Sequence, residues 1–105
     1  MPLVYEYTYF TQQKTKLDEV LRTKVNSTLT NMRMGIFNTS KQVAGNGQNL
    51  VKNKVQMSAA VAKATEVLEC RIDGHWRIFY YKNPGGNITA LCIGHLDPNS
   101  RLMEP

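Results

Sequence analysis

Hydrophobic residues recur with two different periods along the chain, and the change of period predicts the elements. Residues 3–10 (LVYEYTYF) are dense in β-branched and aromatic side chains and partly alternate, which is typical of a strand. Residues 11–34 place apolar side chains at three- and four-residue spacing, which predicts one long amphipathic helix. Gly35 supplies its C-terminal stop, because glycine enters the left-handed conformation without steric cost.

The middle of the chain is polar at first and then helical. Residues 36–49 (IFNTSKQVAGNGQN) are rich in Asn, Ser, Gly and Gln, so we expect an irregular connection there. From Leu50 to about Thr65 the apolar spacing returns to that of a helix, with small residues that permit close packing. The sequence therefore predicts a second helix.

The last third of the chain returns to period two. Residues 67–72, 76–82 and 88–94 read as strands, joined by the turn signals Asp73-Gly74 and NPGG at 83–86. The order β-α-α-β-β-β predicts an α+β domain with an N-terminal strand, two helices and a C-terminal antiparallel three-strand meander. We expect one domain over residues 1–105, one sheet with the helices on one face, and function on the free face.

Composition and charge narrow the possible partners. The 105 residues are 42% hydrophobic and 20% charged, values typical of a globular protein. The formal net charge of +5 favours a polyanion, above all nucleic acid. No apolar run or basic leader indicates a membrane or an export route, and two widely spaced cysteines, Cys70 and Cys92, indicate reduced thiols. These features predict a cytoplasmic protein that does not bind membranes.

The chemistry-bearing residues of the last third suit RNA. Alternation places Arg71 and Arg77 on one sheet face with Tyr81, an arrangement of cations and rings that suits phosphates and stacked bases. His95 ends the last strand, where it could exchange a proton near neutral pH. RNA cleavage needs no nucleophile from the protein, because the ribose 2′-OH is already present. No metal spacing or dinucleotide motif stands in the sequence, so we expect neither a metal nor a small-molecule cofactor. Glu69 reads as a surface ion-pair residue and His75 as a turn residue.

The same strands resemble the C-terminal sheet of the RelE/ParE/HigB toxin superfamily. The resemblance lies in LECRIDGHWRIFYY at 68–81 and LCIGH at 91–95, which match an L-x-x-R-x strand, an aromatic-Arg strand and a strand ending in G-H. It covers about a third of the chain. Leu96 departs from the pattern, which has a basic residue at that position.

The resemblance implies a fold like that of microbial ribonucleases and a metal-independent endoribonuclease that cleaves mRNA, typically on the ribosome, and inhibits translation. It implies that Arg71 and Arg77 contact the scissile phosphate and that His95 transfers a proton. It also implies that Lys52, Lys54 and Arg101 help hold the RNA or ribosome.

The partner implied by the resemblance is a cognate antitoxin or immunity protein. Two alternatives remain open: a ParE-like inhibitor of DNA gyrase without ribonuclease activity, and a tRNA-cleaving toxin domain of a secreted bacterial effector.

Overall fold

A computed structural model describes residues 2–99 and 101–105 of the chain. It confirms the α+β class, with four helices and a six-stranded mixed sheet in this part of the chain. In chain order the elements are β1 (Val4–Glu6), α1 (Thr8–Lys16), α2 (Glu19–Arg33), β2 (Lys41–Gln42), α3 (Gly45–Lys54), α4 (Ala59–Ala64), β3 (Leu68–Asp73), β4 (Trp76–Lys82), β5 (Ile88–Leu96) and β6 (Leu102–Met103).

The sheet extends beyond the predicted meander. Its strand order is β1-β5-β4-β3-β2, and β6 also pairs with β5. The antiparallel pairing of β3 with β4 and of β4 with β5 agrees with the prediction. The prediction of a three-strand sheet is wrong, because β1 lies parallel to β5, with Val4 opposite Ile88, and β2 extends the other edge. These additions satisfy main-chain groups that a three-strand sheet would leave open.

The predicted long N-terminal helix is two helices. Leu17 has extended dihedral angles (φ −71°, ψ 152°) and its side chain is buried. Asp18 then begins a new helix as its N-cap, where its carboxylate accepts a hydrogen bond from the Leu21 amide at 2.8 Å. The cap competes with helix continuation because it satisfies an otherwise unpaired N–H. The N-terminal strand is also shorter than the predicted one over residues 3–10. β1 ends at Glu6, because α1 already begins at Thr8.

The predicted second helix also divides in two, and the first of them starts earlier than predicted. α3 begins at Gly45, inside the segment expected to be a connection, and the same segment contributes the short strand β2. The break falls before α4, where Gln56 has a positive φ of 57° and Ser58 caps the new helix. Lys52 ties the two helices together, because its Nζ donates to the Ala62 carbonyl at 2.8 Å.

Both faces of the sheet are covered by apolar packing. α1 and α2 pack on one face, where the largest buried side chains are Phe10, Leu29, Met32, Ile78 and Tyr80. A second cluster, formed with α3, covers the opposite face and includes Val43, Val51, Val55, Phe79, Leu91 and Cys92. The prediction of helices on one face and a wholly free second face is therefore wrong. The covering of this second face was not predicted, because the polar first turn of α3 has the composition of a loop.

A β-bulge interrupts the pairing of β4 with β5. Phe79 lies opposite Cys92 while Tyr80 lies opposite Ala90, so Leu91 is the extra residue. Consequently Leu91 and Cys92 both pack in the second cluster. After the bulge, each side chain of β5 points to the face opposite to the one that unbroken alternation would give it. This change of face includes His95.

Candidate active site

A polar recess lies where the second apolar cluster ends. It has a volume of about 760 Å³ and opens between the first turn of α3 and the central strands. The size falls within the range of ligand-binding clefts. Its charged and titratable lining residues are Lys41, Glu69, His75, Arg77, His95 and Asp97.

Three neighbouring strands place one functional group each in this recess. Glu69 lies on β3, Arg77 on β4 and His95 on β5. Since β4 lies between the other two strands, Arg77 belongs to the strand between the one that carries the carboxylate and the one that carries the imidazole. Glu69 pairs with Phe79, which pairs with Cys92, so Glu69 lies three residues along β5 from His95 as well as two strands away. The central sheet thereby fixes the order of the three groups.

Arg77 is held by main-chain oxygens at the β3–β4 turn. Its Nη1 donates to the Gly74 carbonyl at 2.9 Å and to the Trp76 carbonyl at 3.1 Å. Its Nε lies 3.7 Å from Glu69 Oε1, and Lys41 Nζ approaches the same oxygen at 3.7 Å. In the described part of the chain no hydrogen bond is made by Nη2 of this guanidinium. Arg77 is thus fixed in place and retains donors suited to a phosphate.

Two histidines meet at the mouth of the recess. The rings of His75 and His95 lie 4.3 Å apart between centroids, and both contact the indole of Trp76, at 4.6 Å and 5.2 Å respectively. His75 reaches this position from the turn, where Gly74 has a positive φ of 53°. A turn residue and a strand residue distant in sequence therefore form one aromatic cluster.

β6 holds the strand segment that bears His95. His95 pairs with Met103 across the antiparallel β5–β6 ladder. A Cβ on the neighbouring Gly94 would lie 2.6 Å from the Met103 carbonyl oxygen, so only glycine permits this approach. The main chain on both sides of His95 is thereby fixed.

Asp97 lines the recess next to β6 and is bound by Arg101. Asp97 Oδ1 accepts hydrogen bonds from the amides of Arg101 at 2.8 Å and Asn99 at 3.0 Å, and its Oδ2 lies 2.8 Å from Arg101 Nε. The Arg101 amide, aided by its guanidinium, holds the pKa of Asp97 below its ordinary value. The exposed Arg101, predicted to hold RNA, is thus engaged with Asp97 and is not among the residues that line the recess.

The structure separates Arg71 from Arg77 despite their pairing. Their Cα atoms are partners across β3 and β4. Arg71, however, is exposed and lines a different depression, with Lys24, Ser27 and Asn38 beside α2. Of the three predicted catalytic residues, Arg77 and His95 lie in the recess and Arg71 does not.

The other predicted RNA-binding residues also lie outside the recess. Lys52 is bound to α4 as described, and Lys54 forms an ion pair with Glu104 at 3.1 Å. Tyr81 is half-buried and packs edge-on against Tyr7, with ring centroids 6.5 Å apart. None of the three side chains lines the recess.

Sequence reasoning missed Glu69, His75 and Lys41 as members of the site. Strand alternation put Glu69 on the same face as Arg77, which was the available signal. The aromatic contact between His75 and His95 had no sequence signal, since it depends on the path of the turn. Lys41 reaches the recess through β2, in a segment expected to be irregular.

A second cavity, of about 420 Å³, offers less chemistry. It is lined by Tyr9, Gln13, Lys16 and Glu104 among others and contains no histidine. Its carboxylate, Glu104, already accepts hydrogen bonds from Tyr9 Oη and Gln13 Nε2. Burial, together with the hydrogen bond to Glu104, raises the pKa of Tyr9 above its ordinary value. These groups hold the C-terminal segment and leave the recess as the candidate site.

Within residues 2–99 and 101–105, no three metal-ligating side chains are grouped so that they could hold an ion. In the same part of the chain no helix is long and apolar enough to cross a bilayer. Cys70 and Cys92 are free and buried, and burial raises the pKa of each thiol.

Comparison of the chain with family models, with curated proteins and with solved structures gives no match. The resemblance to the RelE/ParE/HigB superfamily therefore stays a prediction based on the residues of β3, β4 and β5. The geometry of the recess is an independent basis for a functional proposal.

Proposed function

We propose that the protein is an endoribonuclease that cleaves RNA by internal transesterification in the recess. The observation that supports this most strongly is the strand order, which sets Arg77 between Glu69 and His95. In-line displacement at phosphorus requires a proton acceptor and a proton donor on opposite sides of the phosphate, with positive charge between them. The three strands supply these groups in that order.

Each residue has a distinct role in the proposed reaction. The Glu69 carboxylate accepts the proton of the ribose 2′-OH as the 2′-oxygen forms its bond to phosphorus. The bond from phosphorus to the 5′-oxygen breaks, and His95 in its protonated form donates a proton to that oxygen. Arg77 binds the non-bridging oxygens and stabilises their added charge. The products are a 2′,3′-cyclic phosphate and a free 5′-hydroxyl.

The basic surface supports a nucleic-acid substrate. The chain has a net charge of +5, and Lys41, 72% exposed, stands at the entrance of the recess. Such a surplus attracts a phosphate backbone irrespective of its sequence. On the basis of the resemblance to the toxin superfamily, we propose further that the protein cleaves mRNA on the ribosome and that an antitoxin or immunity protein inhibits it.

The proposal can be tested directly by incubating the purified protein with bare RNA, with mRNA on ribosomes, and with supercoiled DNA plus gyrase. We expect RNA products that end in a cyclic phosphate. A matched pair of variants then shows where in the protein cleavage takes place. Arg77→Ala should abolish cleavage, whereas Arg71→Ala removes the same charge outside the recess and should retain it. Inhibition of gyrase without RNA products would overturn the proposal in favour of the gyrase alternative.

A further inference from the structure

A shallow depression adjoins the recess on the other side of the aromatic cluster. It has a volume of about 390 Å³ and lies between the first turn of α2 and the start of β4. Its apolar surface comes from Val20, Leu21 and Trp76, and its polar edge from one lysine and three carboxylates, Lys24, Asp18, Glu19 and Asp73. The depression is therefore a small apolar site with a charged edge.

Val20 is the unusual residue of this depression. The apolar side chains further along α2, such as Val25, Leu29 and Met32, are buried in the core, whereas Val20 is 67% exposed. It stands on the first turn of the helix and lines the depression together with the half-buried indole of Trp76. The valine and the indole are the apolar walls of this slot.

The polar edge of the depression is fixed by an ion pair. Lys24 Nζ lies 2.6 Å from Asp73 Oδ2, and this hydrogen bond holds the pKa of Asp73 below its ordinary value. The pair presents an ammonium donor and a carboxylate acceptor beside an apolar slot. Heteroaromatic rings with hydrogen-bonding edges match that combination.

Trp76 connects the depression to the recess. Its indole lies 5.2 Å from the ring of His95 and 4.6 Å from that of His75, both of which line the recess. The aromatic cluster of His75, Trp76 and His95 therefore joins the depression to the recess. Aromatic side chains next to a phosphate site are typical stacking platforms for single-stranded nucleic acid.

We propose that this depression is a nucleobase subsite, in which the base flanking the scissile phosphate stacks on Trp76 against Val20. This inference rests on the proposed ribonuclease function and adds a basis for substrate preference. A purine offers more stacking surface than a pyrimidine, so a purine at this position binds more tightly. Single-stranded RNA is the substrate class, because a base paired within a duplex cannot enter the slot.

Trp76 is the only tryptophan of the chain, so its fluorescence reports occupancy of the subsite directly. The probe is a short oligodeoxynucleotide, which lacks the 2′-OH and cannot be cleaved by transesterification. It is compared with the same oligonucleotide carrying one abasic position. We expect the intact probe to bind about tenfold to a hundredfold more tightly than the best-placed abasic probe, the usual effect of one stacked base. Equal affinities for every abasic position would overturn the proposal.

A matched pair of variants tests the slot without altering the indole. Val20→Asp puts a charge in the slot, and Val61→Asp makes the same change at another exposed valine, in the first turn of α4. The measured quantity is the ratio of the affinity for the intact probe to the affinity for the abasic probe. Both probes carry the same phosphates, so repulsion between the new carboxylate and the phosphates cancels in this ratio. Val20→Asp should bring this ratio close to one, whereas Val61→Asp should retain the wild-type ratio. An unchanged ratio in Val20→Asp would overturn the subsite.

The two proposals fail in different ways. RNA cleavage that proceeds equally well with any flanking base, together with equal probe affinities, rejects the subsite and leaves the ribonuclease function standing. A base-dependent fluorescence change without any RNA product rejects the ribonuclease function and retains a nucleobase-binding site.

Discussion

The side-chain amide of Gln13 pairs with the main chain of Ile93 as a neighbouring strand would. Its Nε2 donates to the Ile93 carbonyl at 2.8 Å, and its Oε1 accepts from the Ile93 amide at 2.7 Å. β1 covers the beginning of this edge of β5 and β6 covers its end. Gln13 therefore satisfies the main chain in the gap between two short strands.

Gln13→Glu should destabilise the fold. The new carboxylate cannot donate to the Ile93 carbonyl, and it would face Glu104, which now accepts a hydrogen bond from Gln13 at 2.8 Å. Loss of a buried partner costs about 1–3 kcal/mol. Gln12→Glu makes the same change at an exposed neighbour and should be close to neutral. Chemical denaturation of both variants measures the difference, and equal stabilities would show that the amide pairing contributes nothing.

Gly94→Ala should push β6 away from β5. The added Cβ would meet the Met103 carbonyl oxygen, a main-chain atom that cannot move independently. We expect a loss of about 1–3 kcal/mol in the free energy of unfolding, typical of overpacking. Gly85→Ala is the control, since its Cβ would enter open space. A Gly94→Ala protein as stable as the control would contradict the tight approach of the two strands.

His95→Gln should separate binding from chemistry. The variant keeps a polar side chain but cannot donate a proton as an imidazolium, so RNA binding should persist while cleavage falls by roughly 10²–10⁴-fold. His75→Gln, measured beside it, assigns the proton transfer to one ring. A fully active His95→Gln protein would remove His95 from the reaction.

Glu69→Gln should lower the cleavage rate, because it removes the proposed acceptor of the 2′-OH proton. A carboxamide cannot accept the 2′-OH proton, so the expected loss is again roughly 10²–10⁴-fold. Its ion pairs with Arg77 and Lys41 are long, at 3.7 Å each. Glu66→Gln makes the same change in net charge at an exposed position outside the recess. If both variants cleave at the wild-type rate, the proton acceptor is another group.

Asp97 should make stability depend on acid pH. Its pKa is lowered in the folded protein, so its stabilising effect is fully present above the unfolded-state pKa of about 3.9 and is lost as the pH falls through the lower folded-state pKa. Asp97→Asn should therefore lower the melting temperature at about pH 7 and have a smaller effect at about pH 2. An equal effect at both pH values would show that the charge of Asp97 is not what stabilises this loop.

The sequence was sufficient for elements whose pattern is local. Alternation and turn residues located β3, β4 and β5, the strands that carry Arg77 and His95. The break at Leu17 was not predictable from spacing, because Leu17 fits the apolar helical stripe and Asp18 acts as a cap only once the chain turns there.

Features that depend on tertiary packing were missed. α3 starts at Gly45, in a segment with low helix propensity, and packs so closely that a Cβ on Gly47 would lie 2.6 Å from Leu96 Cδ1. The bulge at Leu91 has no composition signal, yet it changes the face to which the following residues of β5 point. Membership of Glu69 and His75 in the site follows from these long-range arrangements.

The central position of β5 has a consequence for the order in which the protein is assembled during synthesis. β5 contacts β1, β4 and β6, but it is translated after every helix and after four of the six strands. The apolar faces of α1 and α2 therefore emerge from the ribosome before the strand that completes their core, and pairing of β1 waits for a distant partner. A nascent chain that stops before residue 88 has neither β5 nor His95, so the recess cannot form until that strand has been translated.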